Sequence, residues 1–198
     1  MTDTAPREFP LQELAEVIIR FAGDSGDGMQ LTGDQFTSIS AALGNDLATL
    51  PEFPAEIRAP QGTLAGVSAF QVRISDFAIT TPGDAPTVLV AMNPAALKAQ
   101  LHNVVQGGAI ILNSDAFIER NLEKAGYESN PLEDGTLDGY RIYPVAMSQI
   151  TRDAVAVHGV KPRDAERSKN FFALGLISWM YTRPVEPTME FIRSKFHG

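Results

Sequence analysis

Residues 16–33 read EVIIRFAGDSGDGMQLTG, and the fold turns on how that stretch divides. An apolar run at 17–22 stops at Gly23, Asp24, Ser25, Gly26, Asp27 and Gly28, and a helical pattern begins with Met29 and Gln30. Strand, glycine loop and helix in that order open the ligand crevice of an α/β domain. Glycines let the chain turn sharply and approach a ligand closely. The free N–H groups at the helix start then favour an anion such as a phosphate. The spacing fails the dinucleotide fingerprint GxGxxG. Counted from Gly26 and Gly28 the third glycine falls on Leu31, and counted from Gly23 the third position is Ser25. Asp24 and Asp27 oppose simple phosphate binding, because two carboxylates repel a polyanion; aiming away from the crevice, or capping the helix, would reconcile them. A tight turn with no ligand is the bland alternative.

Outward from that loop, strand and helix patterns alternate. A first helix at 29–43 should turn Leu31, Phe36, Ile39 and Leu43 inward and stop at Gly44-Asn45. A second strand lies near 47–50. The stretch from 50 to 69 carries three prolines and two glycines, too many for a long helix or a central strand. Its polar groups Glu52, Glu56 and Arg58 are candidates to line a site, the plain alternative being a surface ion pair. Strands are expected at 70–74, 87–92, 109–113 and 140–145, and helices at 94–105, 116–125, 147–157 and 164–181. Asn93 should cap the helix that Pro94 begins, and it also stands where it could touch a ligand. The helix at 164–181 starts with Glu166, Arg167 and Lys169 and turns apolar on nearly every side, which fits a core or a subunit interface anchored by Phe172 and Trp179. This order predicts an α/β, Rossmann-like, doubly wound, mostly parallel sheet with helices on both faces and the site at the carboxyl ends of its strands. The division expected is an N-terminal arm at 1–15, a domain at 16–183, and at 184–198 a linker towards a missing following domain.

The chain has 198 residues, a formal net charge of −8 and no cysteine. No basic stripe offers itself to a nucleic acid. Without cysteine this chain cannot hold an iron–sulfur cluster through thiolates, form disulfides or use a thiol nucleophile. The N-terminal segment has no apolar signal core, and the most apolar stretch, 171–180, is too short to span a bilayer. The reading is a soluble cytoplasmic protein with neither nucleic acid nor membrane as a partner. His102, His158 and His197 are scattered, without a catalytic constellation around any of them.

The segments FAGDSGDGMQLTG, FPAEIRAPQGTLAGVSAFQVRIS, VLVAMNPAAL, YESNPLEDG and ERSKNFFALGLISWMY resemble the gamma domain of 2-oxoacid:ferredoxin oxidoreductases. The likeness is greatest to the N-terminal part of the fused alpha chain of the 2-oxoglutarate enzymes, and it covers about 17–180. The family's commoner first loop is Gly-x-Gly-Gly-Gln-Gly; here Ser25 replaces a glycine and Asp27 the glutamine, as in the fused type. The resemblance implies a multi-subunit enzyme that oxidatively decarboxylates a 2-oxoacid, joins the acyl group to coenzyme A and passes electrons singly to ferredoxin. Thiamine diphosphate, magnesium and iron–sulfur clusters would belong to the remaining alpha-chain domains and a beta chain. Gly26-Asp27-Gly28 imitates the start of a thiamine-diphosphate magnesium site, but Asn45 comes too early to complete it and residues 46–92 contain no asparagine. The resemblance further implies that this domain contributes coenzyme A access: Gly23, Asp24, Ser25, Gly26, Asp27, Gly28, Met29 and Gln30 for a phosphate or pantetheine contact, and Glu56 and Arg58 for the crevice wall. No residue is expected to be catalytic or to bind metal. Two other readings are a free nucleotide-binding oxidoreductase, with Glu52 on a ribose hydroxyl, and a purely structural assembly module.

Overall fold

Alternation along β1 (Glu16–Asp24) builds two cores at once, with Val17, Ile19 and Phe21 on one face and Arg20 and Ala22 on the other. The computed structural model describes residues 12–56 and 59–196. β1 pairs antiparallel with β3 (Val67–Ser75) and parallel with β4 (Val88–Ala91). Outside these lie β2 (Asp46–Glu52), antiparallel to β3, and then β5 (Ala109–Asn113) and β6 (Arg141–Val145), both parallel. The order is β2-β3-β1-β4-β5-β6. Five strands therefore share one direction and β3 opposes them. Pro51 pairs with Phe70 on the edge strand β2, where a missing N–H costs no ladder bond on the open side.

Helices cover both faces. Helix α1 (Met29–Ala42) sits on the Phe21 side with α6 (Lys169–Met180); Phe21 and Phe36 meet edge to face at 6.0 Å. Truncating the fully buried Phe36 to alanine would cost about 3–5 kcal/mol. Helices α2 (Pro94–Gln100) and α3 (Glu119–Lys124) cover the other face, over Leu89, Ala91, Ile110 and Leu112. Helices α4 (Met147–Ala156) and α5 (Pro162–Arg167) follow β6, and α7 (Glu186–Lys195) ends the described chain. The segment expected as a linker thus carries a helix. It is tied back by an edge contact of Phe196 on Phe171 at 6.0 Å, and just before it Arg183 donates to Asn45 at 2.7 Å.

Four sequence expectations shift. On α1 the sheet-facing side is Met29, Thr32, Gly33, Phe36, Ile39 and Ser40, whereas Leu43 is 51% exposed and Leu31 half-buried. Gly33 explains the rotation, because the ring of Phe70 fills the space where a Cβ would stand, 2.1 Å away. The helix expected at 94–105 ends at Gln100 and tightens into a 3-10 turn, Leu101–Asn103. The helix expected at 116–125 begins only at Glu119, because burying Phe117 takes 117 and 118 out of helical geometry. The helix expected at 164–181 breaks at Ser168, whose hydroxyl donates to Asp164 O at 3.0 Å while Ser168 N bonds Ala165 O, three residues back. Beyond the break, Ala173, Leu174 and Ile177 are buried; Phe172 packs half-buried on the core, and Trp179 is 65% exposed.

Candidate functional site

Strands β1, β4 and β5 end on one rim, and the residues that follow them enclose a cleft of about 310 Å³. Asp24 and Asp27 come from the β1 loop, Asn93 follows β4, and Asn113 ends β5. Gly62 reaches in from the connection between β2 and β3. Position after a parallel strand is what brings these segments together, as an open sheet of this kind requires.

The floor is polar and internally paired. Asp24 is buried, and both its carboxylate oxygens stand 3.1 Å from Gly62 N, which donates to them. Burial raises its pKa above the ordinary value, and the neighbouring Asp27 charge adds to this. The Gly62 N–H, the Asn93 side chain and the Lys169 charge oppose the rise without cancelling it. Asp27 Oδ2 accepts from Asp24 N at 3.0 Å, and its Oδ1 lies 3.1 Å from Lys169 Nζ. Lys169 also reaches Glu166 at 2.9 Å. Burial would lower the pKa of this ammonium, but the charge of Asp27 and the bond to Glu166 outweigh it and hold the pKa above its ordinary value. Burial likewise pushes Glu166 up, and the Lys169 hydrogen bond and charge, with Ser148 and Arg152, bring it below the ordinary value. Ser148 Oγ donates to Glu166 at 3.1 Å and accepts from Asn113 Nδ2 at 3.1 Å. Asp115 accepts from Gln149 N at 2.8 Å on the far wall.

The anticipated residues divide. Asp24, Asp27 and Asn93 line the cleft together. The two aspartates neither aim away from it nor cap α1: the capping position is Gly28, at φ 74°, with no side-chain bond. A Cβ on Gly28 would meet Asn170 Nδ2 at 2.7 Å, and one on Gly23 would meet Asp27 Oδ2 at 2.9 Å, so both glycines serve close approach. Ser25 and Gly26 form the exposed tip, where Ser25 N donates to Gly66 O at 3.1 Å. The Met29 side chain lies in the core. Gln30 turns to the sheet, its amide donating to Ala69 O at 2.9 Å and Ser68 Oγ at 3.1 Å. Asn93 does what a capping asparagine should, accepting from Ala96 N at 2.8 Å. Glu56 is exposed and outside the cleft wall. Arg58 and His197 lie outside the described residues. Glu52 accepts from Gln100 at 3.1 Å and lies 3.7 Å from Arg20, and β3 separates its strand from β1; a ribose contact beside the glycine loop is not built. Sequence reasoning missed Lys169 and Ser148 as members of the site; a charged start to an otherwise apolar helix was the one signal that could have pointed to Lys169.

A family model described as pyruvate ferredoxin/flavodoxin oxidoreductase matches residues 18–198. The chain belongs to that family. Its relative from Mycobacterium tuberculosis, "2-oxoglutarate oxidoreductase subunit KorA", is 60% identical over 185 residues, which is 93% of this chain and 28% of that one. The chain therefore spans under a third of this relative. Among solved structures of the family, 2-oxoglutarate:ferredoxin oxidoreductase from Magnetococcus marinus, with 2-oxoglutarate, coenzyme A and succinyl-CoA bound, superposes with a TM-score of 0.68 at 27% identity, over 93% of this chain and 27% of the other. The gamma subunit of keto/oxoacid ferredoxin oxidoreductase from Geobacter sulfurreducens shares the fold, with a TM-score of 0.61 at 18% identity, over 91% of this chain and 87% of that one.

The family implies thiamine diphosphate with magnesium and iron–sulfur clusters, and the residues here do not fit either. The Asp27 carboxylate is engaged by Lys169 and by Asp24 N, and among the described residues no group of three or more His, Cys, Asp or Glu could hold a metal. The chain has no cysteine for a cluster. Among the described residues no helix is long and apolar enough to cross a membrane.

Proposed function

We propose that this chain is the gamma-type domain of a 2-oxoacid:ferredoxin oxidoreductase, acting on 2-oxoglutarate or a related 2-oxoacid. In the balanced reaction a 2-oxoacid, the coenzyme A thiol and two oxidised ferredoxins give acyl-CoA, carbon dioxide, a proton and two reduced ferredoxins. Thiamine diphosphate and iron–sulfur clusters, held by the remaining alpha-chain domains and a beta chain, supply the carbon–carbon cleavage and the electron path. This chain supplies a wall for coenzyme A and surface for its partners, in the cytoplasm, and no catalytic group. The observation that carries the reading is the 60% identity to a 2-oxoglutarate oxidoreductase subunit, over 93% of this chain. The rim cleft beside Gly23, Asp24, Asp27, Gly28 and Asn93 supports the coenzyme A role, as does the fold shared with a structure holding that molecule. Ser25, Gly26, Met29 and Gln30 enter this assignment as loop positions and Arg58 as an expected contact, whereas Glu56, off the cleft wall, leaves it.

Two measurements test it. The 198-residue chain alone, given a 2-oxoacid, coenzyme A and a dye acceptor, is expected to show no turnover. Turnover without partner chains would refute the assignment. In the assembled enzyme, Asp24→Asn should raise the KM for coenzyme A and leave that for the 2-oxoacid unmoved; equal values for both would remove the coenzyme A role.

A further inference from the structure

A second hollow lies away from the rim. Residues 125–140, between α3 and β6, form no helix or strand, and a stretch that long inside a compact domain usually carries a function. Its own side chains hold it rigid. Asn130 Oδ1 accepts from Leu132 N at 3.1 Å, the Asn130 amide donates to Glu133 at 3.0 Å, and Asp134 accepts from Thr136 N at 2.9 Å. Gly107 N and the Gln106 amide both donate to Gly139 O, at 2.9 and 3.1 Å, which fastens the end of the segment to the start of β5. With the first residues of β6 the segment encloses about 380 Å³, more than the rim cleft holds.

The hollow is apolar inside and acidic at its margin. Leu132, Leu137, Tyr140 and Ile142 form its walls; Leu137 is buried and the other three are half-buried. Glu133 and Asp138 stand exposed beside them, and among the described residues no cation pairs with either. Its position is the amino end of β6, whereas ligands of an open α/β sheet gather at the carboxyl ends. The two carboxylates also disfavour any anion there. Nor is the strand edge itself open to pairing. Arg141 N donates to Gly108 O, so alternation turns the backbone of residues 142 and 144 outward, and 144 is a proline without an N–H. What remains, an apolar hollow with a charged margin, is the makeup of one half of a protein interface. A second copy of this chain would bring the same carboxylates and a net charge of −8 to the contact. The complement is a surface of positive sign.

We infer that this hollow docks another domain or chain of the assembled enzyme, which inserts an apolar side chain between Leu132, Tyr140 and Ile142 and sets lysine or arginine against Glu133 and Asp138. Because the loop is fixed beforehand, little ordering entropy opposes the contact. The inference rests on the multi-subunit reading above and is independent of the coenzyme A role.

The test uses the assembled enzyme. The chain has no cysteine, so an introduced thiol is its only one. Leu132→Cys and Asp138→Cys are made separately, and maleimide labelling is read on this chain's peptides. Labelling should run slower by about tenfold or more than in the same variant unfolded in urea, although position 138 is exposed in the chain itself. High salt should speed it, since ion pairs at the margin are screened. A reagent that joins thiols to amines should link the Asp138→Cys variant to a lysine outside this domain. Adding Glu133→Lys to Leu132→Cys should restore fast labelling, whereas adding Asp34→Lys, at an exposed position of α1, should not. Rates within about threefold of the unfolded ones at both positions overturn the proposal. A link to a second copy of this chain overturns it too, as does protection that disappears on dialysis and so marks a small ligand. Turnover by the isolated chain would refute the multi-subunit reading itself, a result distinct from any labelling rate.

Discussion

Arg20 and Lys169 both leave water, and their surroundings treat them oppositely. Arg20, in the middle of β1, is bound by neutral amides: Gln71 at 2.9 Å and Gln100 at 2.6 Å, with the half-exposed Glu52 at 3.7 Å. Burial lowers its pKa, and the distant Glu52 only partly offsets this. Lys169, at the rim, is bound by two carboxylates, and its pKa rises. The amides around Arg20 are themselves committed, Gln71 donating to Pro82 O and Gly83 O at 2.8 and 2.7 Å. That cluster locks strands and a turn together. The partners of Lys169 line the cleft and can be re-paired when a ligand enters. A buried cation held by fixed dipoles is architecture, and one held by carboxylates on a cleft wall is a point of adjustment.

The largest effect should come from Arg20→Met. It keeps the volume but leaves the buried Gln71 acceptor unpaired and Gln100 Oε1 with Asn103 as its remaining donor, at a cost of about 3 kcal/mol, read by urea unfolding. A loss under about 1 kcal/mol would dissolve the contrast. Lys169→Met should cost about 2 kcal/mol, less because Glu166 can turn to water. Adding Asp27→Asn should restore most of that loss, so the double variant sits well above the sum of the singles. No comparable rescue is open to Arg20, whose main partners are neutral.

The pH response separates the rim groups by sign. Lys169 has a raised pKa, so its contribution is full below its ordinary value of 10.5 and is lost as pH rises through the folded value. Glu166 has a lowered pKa, so its contribution is full above 4.5 and is lost as pH falls through the folded value. Asp24 is the reverse case: raised above 3.8, it penalises the fold at neutral pH, and the penalty fades as pH falls through its folded value. Asp24→Asn keeps an acceptor for Gly62 N and should therefore raise the Tm at pH 7, with the gain shrinking towards about pH 4. A gain that grows on acidification would reverse the assignment. The smallest effect belongs to Arg152→Gln: both partners are well exposed and 3.5 Å apart, so the stability change should stay within about 0.5 kcal/mol.

The strands were legible because apolar runs bounded by glycine and asparagine leave little freedom; 109–113 stands where it was expected. The direction of β3 was not, since its composition suits either pairing. The glycine loop and Asn93 announced themselves through local chemistry. Lys169 and Ser148 did not, because each is an ordinary helix residue until the sheet order brings its helix to the rim. Leu43 misled because apolar spacing alone cannot register that Gly33 admits an aromatic ring and so sets the helix rotation.

The interruption at Ser168 divides labour within one run of sequence. From Ala173 onward the run anchors the domain interior through Ala173, Leu174 and Ile177, whereas Glu166 just before the break and Lys169 just after it face the cleft. Changing the charges at 166 and 169 would retune the electrostatics of the opening while leaving the hydrophobic anchor beyond them intact.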